Sequence, residues 1–305
     1  MNINAIVTLI AVCLFCTTAS CSKSEKITKE QTKSNRTVVI GLIPEQNLFR
    51  QIDRYEPLAA YLSEKTGTQV NLTIFTQYGN SIDNFGSGGL DGAFLGSFTY
   101  ALAHTKLGVH ALARPESPNG KSTYHGLIFV RKDSGIRACR DMQGKRFAFV
   151  DRATTAGFFF PMIYFHRCGI NYRAYFKESY FAGTHEDAIE DVLSKKADIG
   201  AAKNTIFDLL AQSDKRIGTE LSVLARSFEV PDNALAMRAD FDESLQEKFK
   251  STLLNMHQDP EGIKVLKIFG AARFIETTDA DYEPIYRAAR EIKLNLATYD
   301  FRNNR

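Results

Sequence analysis

Phe147-Ala148-Phe149-Val150-Asp151-Arg152-Ala153-Thr154-Thr155-Ala156-Gly157, continuing through Phe158-Phe159-Phe160 to Pro161, is the stretch on which the reading of this chain turns. Residues 147–150 are a short apolar run of β-formers, the pattern of a buried strand in a mostly parallel sheet. The run stops at Asp151, and Thr154-Thr155-Ala156-Gly157 reads as the start of a helix with Thr154 or Thr155 as its N-cap. The small residues behind the cap leave backbone N–H groups open. A strand that runs into such a helix start makes an anion site, because unpaired N–H groups and the helix dipole point at the ligand. Taken alone, the segment reads more simply as a capped turn, so its surroundings decide.

Those surroundings are specific. The stretch resembles the Ser-Thr-Ser-Gly signature that follows Phe-Val-Asp-Pro in the periplasmic phosphonate-, phosphite- and phosphate-binding proteins of ABC transporters. Thr154, Thr155, Ala156 and Gly157 stand at its four positions, and Arg152 stands where the signature has proline. The similarity extends on both sides, over roughly residues 38–240.

The chain has 305 residues, 44% hydrophobic and 24% charged, enough to bury one large core or two moderate ones. A formal net charge of +3 gives no argument for a nucleic-acid partner. Residues 6–15 are apolar, too short to span a bilayer, and read as the core of an export signal, although residues 1–4 carry no Lys or Arg. Thr18-Ala19-Ser20-Cys21 looks like a bacterial lipobox with Thr18 in place of the usual Leu. It predicts a signal peptide over 1–20 and a mature protein that begins at lipidated Cys21, with an uncleaved anchor as the alternative. Residues 21–36 are polar and Lys-rich and read as a flexible tether along an anionic membrane surface. Three of the five cysteines belong to the export segment. Cys139 and Cys168 remain, and an oxidising compartment allows them to pair, but the sequence leaves that open.

Strands and helices alternate through the rest. Residues 38–43 read as a strand that ends in the loop Pro44-Glu45-Gln46-Asn47. Tyr55, Leu58, Ala59 and Leu62 then recur at i, i+3, i+4 and i+7, the stripe of an amphipathic helix. Further strands are expected at 70–75, 92–95, 109–113, 127–131, 197–202 and 221–225. Gly86-Ser87-Gly88-Gly89 precedes a strand and not a helix, so it reads as a turn and not a phosphate loop. Thr184 and Asp187 have capping-box spacing, which puts His185 in the first turn of a helix backed by Ala188, Ile189, Val192 and Leu193. The residues after Asn233 read as helices. This alternation predicts an α/β protein with parallel sheets.

The resemblance implies a two-lobed class II periplasmic-binding-protein fold with two crossovers. Lobe 1 would take residues 37–126 and 230–305, and lobe 2 residues 127–229. The ligand, a small phosphorus oxyanion, would sit between the lobes, and the partner would be the permease of an ABC transporter. Carried over residue by residue, the expected contacts are Thr154, Thr155, Ala156, Gly157 and His185, with Ser97, Tyr100, Tyr124 and Asn204. Gln46, Asn47 and Tyr78 (beside Gln77) are expected from their loop positions. A tetrahedral oxyanion wants N–H groups, hydroxyls and an imidazole, and needs no full countercharge.

The alternatives are an enzyme, a binding protein for a non-phosphorus anion, and a ligand-sensing lobe that signals to a membrane receptor. No Gly-x-Ser-x-Gly elbow occurs, and the six histidines show no zinc-ligand spacing, so neither catalysis nor a cofactor or metal is expected. Transporter and sensor polypeptides would look alike.

Overall fold

The computed structural model describes residues 36–303, and the predicted signal peptide, Cys21 and nearly all of the tether lie outside them. The strands, in chain order, are β1 Thr37–Leu42, β2 Gln69–Ile74, β3 Gly92–Leu95, β4 His110–Glu116, β5 Thr123–Tyr124, β6 Gly126–Arg131 and β7 Arg146–Phe149. They continue with β8 Glu178–Phe181, β9 Ile199–Lys203, β10 Leu221–Arg226, β11 Val230–Pro231, β12 Ala234–Met237 and β13 Arg273–Glu276.

Two sheets divide these strands in a two-lobed arrangement. The first runs β13-β4-β12-β3-β1-β2 and the second β10-β6-β9-β7-β8. The chain passes from the first sheet to the second ahead of β6 and returns after β10. Where the two passages meet, β5 and β11 pair as a short antiparallel ribbon, with Tyr124 opposite Val230.

The expectation of parallel sheets holds only at one end of each, over β3-β1-β2 and β9-β7-β8. The pairs β1·β2, β1·β3, β7·β8 and β7·β9 are parallel, whereas β12 is antiparallel to β3 and β4, and β6 to β9. Two strands run through residues that do not advertise them. Ala234–Met237 is Ala-Leu-Ala-Met, a helix-favouring composition, and it becomes a strand because both its edges are paired and all four residues are buried. Arg273–Glu276 lies in the stretch read as all helix and closes the first sheet at β4.

The helices form where the apolar stripes predict them. Helix Leu48–Thr66 turns Tyr55, Leu58 and Leu62 onto Val38, Ile40 and Leu42 of β1. Across the second sheet, Phe147 and Phe149 of β7 lie with ring centroids 4.3 Å apart and pack on Phe158 and Phe165 of the following helix. Cys139 and Cys168 are paired, Cα atoms 6.5 Å apart, which ties the approach to β7 to the far end of that helix.

The lobes are shut against each other. Phe98 of the first and Phe159 of the second stack at 4.2 Å, nearly coplanar. Residues 297–303 run across the seam. On one side Lys106 Nζ donates to Ala297 O (2.7 Å) and Arg302 to Asp83 (2.9 Å). On the other the Tyr299 hydroxyl donates to Arg152 O (2.9 Å) and the Asn303 amide to Asp151 Oδ2 (2.8 Å).

Candidate functional site

The site begins where β7 ends. Asp151 turns the chain, and Thr154, in extended conformation, holds the N-cap position without a side-chain capping bond, ahead of a helix that opens as a wide π-turn over Thr155–Phe159 and continues as Phe160–Arg167. The width shows in the Phe159 N–H, which reaches back five residues to Thr154 O at 3.0 Å. Such turns concentrate at functional sites. The first N–H groups of a helix have no intrahelical acceptor, so the helix start presents donors to the seam. Gly157 lets the helix lie against the strand, because a Cβ there would fall 2.3 Å from Val150 Cβ.

Several segments fix this turn. Asp151, 1% exposed, accepts N–H groups from Ala153 (2.8 Å), from Tyr78 across the seam (3.2 Å) and from the Asn303 amide. Burial raises its pKa, and those three donors pull it back. Thr154 Oγ1 donates to Asp151 O (2.6 Å). Thr155 Oγ1 accepts the N–H of Phe98 (2.8 Å), and Thr99 Oγ1 donates to Ala153 O (2.8 Å), so helix Ser97–Leu107 of the first lobe is clasped to the anion turn of the second. The Tyr124 hydroxyl lies between Thr155 and the backbone of Ser97.

His185 opens helix His185–Leu193 and is 3% exposed. Its backbone N–H donates to Glu45 O across the seam (3.1 Å), and its Nδ1 faces the Lys203 N–H at 3.3 Å. An accepting Nδ1 places the ring proton on Nε2. Burial lowers the pKa to about 4, so the imidazole is a neutral donor at neutral pH. Tyr78 lies edge-on to this ring at 6.1 Å and is 2% exposed. Among the described residues its hydroxyl has no partner, and neither has the side-chain oxygen of Gln46, itself 6% exposed. Burial also pushes the Tyr78 hydroxyl well up, which keeps it protonated. Buried polar groups of this kind ordinarily find a partner.

The structure thus gathers Thr154, Thr155, Ala156, Gly157, His185, Tyr78, Gln46 and Tyr124 along one buried seam. The side chains of four other expected contacts are engaged with partners within the protein. Tyr100 belongs to the core, 1% exposed, its ring 4.0 Å from Tyr282 and its hydroxyl directed toward His104. The Ser97 hydroxyl donates to Pro231 O (2.7 Å) and ties the helix to the return passage. Asn47 caps helix Leu48–Thr66, and its own N–H donates to Glu186 at the rim (2.8 Å). Asn204 is engaged in the same way. Its N–H donates to His125 O (3.0 Å) and its side-chain oxygen accepts the His125 N–H (2.9 Å), extending the β6–β9 ladder by one residue.

A charged cluster that the sequence analysis did not single out lies beside these groups. Lys203, the last residue of β9 and 4% exposed, donates to Glu45 Oε1 (3.0 Å), Asp232 Oδ1 (2.7 Å) and Asn233 Oδ1 (3.1 Å). Burial works against its charge, but Asp232 and Glu45 more than offset that and hold its pKa above the ordinary lysine value. Asp232 sits below the carboxylate range because Lys203 outweighs the cost of its burial. The signal was present: Ile43-Pro44-Glu45, Ala201-Ala202-Lys203 and Val230-Pro231-Asp232 each put a charge directly after apolar strand residues. Among the described residues, no group of three or more His, Cys, Asp or Glu side chains is arranged to hold a metal ion.

Comparison with known proteins places this chain in a family. The family described as the periplasmic substrate-binding protein of phosphonate ABC transporters matches residues 40–282. The phosphonates-binding periplasmic protein of Escherichia coli K12 is 26% identical over 265 residues, 86% of this chain and 77% of the relative. The phosphate-import protein PhnD of Mycolicibacterium smegmatis is 26% identical over 216 residues, 65% of each chain. The structure of PhnD1 from Prochlorococcus marinus in complex with methylphosphonate superposes with a TM-score of 0.74 at 20% identity, over 85% of this chain and 98% of that one. The chain belongs to the family of periplasmic substrate-binding proteins of phosphonate ABC transporters.

Proposed function

We propose that this protein captures a small phosphorus oxyanion in the seam between its lobes and delivers it to the permease of an ABC transporter. The observation that carries this reading is the buried, unpartnered Tyr78 hydroxyl beside neutral His185, on the same seam as the helix start at Thr155. N–H groups at a helix start, a phenol and an Nε2–H are all donors. Together they suit an acceptor-rich tetrahedral anion, and the helix dipole favours its charge. None of them is a nucleophile or a base aimed at a scissile bond, which supports a binding role over catalysis.

Methylphosphonate is the ligand of one structural relative, and another relative is named for phosphate import. Both anions fit the donor set. Thermal melts with methylphosphonate, phosphite, phosphate and methanesulfonate test the reading. A ligand that binds only the folded state adds about 2.7 kcal/mol of stability at a hundredfold excess over its Kd. A phosphorus anion is expected to raise the Tm, and methanesulfonate, with the same oxygens but only one negative charge, to raise it less. A panel without any shift contradicts the reading.

The same reading gives the mature protein a lipid anchor at Cys21, in the segment outside the described residues. Mass spectrometry of membrane-extracted protein is expected to find a diacylated terminal Cys21, and Cys21→Ala is expected to stall processing. An unmodified mature terminus elsewhere contradicts the anchor.

A further inference from the structure

The Lys203 cluster stands next to the anion seat, yet its ammonium has no hydrogen-bond capacity left for an anion. A lysine ammonium carries three N–H donors and no acceptor. Glu45, Asp232 and Asn233 supply three oxygens at 3.0, 2.7 and 3.1 Å, one for each donor. The Nζ also lies 4.4 Å from the centroid of the Tyr124 ring, a cation–π distance. The hydroxyl of that same ring reaches Thr155 at the helix start. One tyrosine therefore separates a seat built of donors from a pocket built of acceptors.

The acceptor pocket comes from three parts of the chain. Glu45 follows β1 of the first lobe, Asp232 and Asn233 lie on the return passage, and Lys203 ends β9 of the second lobe. Glu45 is 5% exposed and the Asp232 side chain 22%, and two carboxylates so enclosed and converging on one point require a cation. Two carboxylates, an amide oxygen and an aromatic face would serve any primary ammonium group, from whatever molecule. Here the protein fills the pocket with its own.

We propose that Lys203 sets the specificity of the site, occupying an ammonium pocket beside the anion seat so that the protein takes oxyanions without an amino group and excludes aminoalkyl phosphonates. This rests on the phosphorus-oxyanion reading for its ligand class, though the pocket itself is defined by the protein alone. An amino group brought to this place meets a fixed positive charge and finds the carboxylates engaged. Removing the lysine side chain to Cβ leaves a channel between Glu45, Asp232 and Tyr124, and a ligand's ammonium can then take the position Nζ held.

The test uses a matched pair, n-propylphosphonate and 2-aminoethylphosphonate, which differ by CH3 against NH3+. The wild-type protein is expected to bind the propyl compound at least tenfold more tightly, and Lys203→Ala to reverse that order. Equal or tighter wild-type binding of the amino compound overturns the proposal, as does an unchanged affinity ratio in Lys203→Ala. An arm without phosphonate separates this claim from the one beneath it. Millimolar ethylammonium is expected to raise the Tm of Lys203→Ala, or its refolding yield where it does not fold alone, and to leave the wild type unmoved. Tetramethylammonium, too bulky and without N–H donors, is expected to do nothing. If neither protein binds any phosphonate, the functional reading fails while ethylammonium rescue still supports the pocket. No rescue by ethylammonium, whether the variant folds or not, counts against Lys203 as an internal ammonium ligand.

Discussion

The backbone N–H of Phe98 donates to Thr155 Oγ1 at 2.8 Å, so the first turn of a helix in one lobe is bonded to the first residue of the anion helix in the other. The hydroxyl that faces the seam is therefore also a closure contact. Directly behind it, Phe98 and Phe159 stack at 4.2 Å. In the proposed function, ligand and lobe closure act on the same few atoms.

This relationship separates the two threonines. Thr155→Val removes the acceptor of a buried N–H, a loss of about 1–3 kcal/mol, and removes a hydroxyl from the seat as well. Thr154 Oγ1 is engaged locally with Asp151 O, so Thr154→Val is expected to cost about 1 kcal/mol of stability and much less affinity. In titrations with methylphosphonate, Thr155→Val is expected to weaken binding tenfold or more and Thr154→Val only a few-fold. Equal effects would detach lobe closure from the Thr155 hydroxyl.

The pH dependence of His185 has a definite sign. Its pKa falls from 6.5 to about 4 on folding because burial disfavours the imidazolium. The unfolded chain then binds more protons than the folded one between those values, and stability falls as pH drops through that window. His185→Gln lacks this dependence. The stability difference between wild type and His185→Gln, from urea unfolding at a series of pH values, is expected to shrink from pH 6.5 to pH 4. A difference that is flat with pH would place a charged or solvated imidazole at this position.

Asn303 ties the end of the described chain to the anion turn from both of its side-chain atoms. Its amide donates to Asp151 Oδ2 (2.8 Å), and its oxygen accepts the Arg152 N–H (3.0 Å). Asp151 in turn holds the Tyr78 N–H of the other lobe. Asn303→Ala is expected to lower stability by about 1–2 kcal/mol and to weaken methylphosphonate binding through Tyr78, a residue it does not touch. A loss of stability with unchanged affinity would confine residues 297–303 to a packing role.

The Cys139–Cys168 bridge closes a separation of 29 residues around β7. A loop of that length restrains the unfolded chain by roughly 2–4 kcal/mol. Reduction, or Cys139→Ser with Cys168→Ser, is expected to lower the Tm clearly and to leave the anion seat intact, because neither cysteine touches it. A marked loss of affinity at a temperature where the protein stays folded would mean that the bridge positions the helix start.

How far the sequence could be read follows from what each residue answers to. β7 and the turn after it were legible because an apolar run, a turn residue and a capped helix start are local patterns. His185 was legible for the same reason, with Thr184 capping its helix. β12 was not, because Ala-Leu-Ala-Met becomes a strand only through its two neighbours in the sheet. Asn204 drew attention in the sequence and Lys203 did not. They are adjacent in sequence, and only the pairing of β9 with β6 decides that residue 204 meets the His125 backbone while the Lys203 side chain enters the seam. The acceptors of Lys203 lie 158, 29 and 30 residues away along the chain, beyond the reach of any local pattern.

The central claim is that the buried donors on this seam form a seat for one phosphorus oxyanion. Isothermal titration of the wild-type protein with methylphosphonate at neutral pH measures that directly. The account predicts saturable binding of one anion per chain, lost or greatly weakened in Thr155→Val. The absence of saturable binding by methylphosphonate, phosphite and phosphate alike would contradict it.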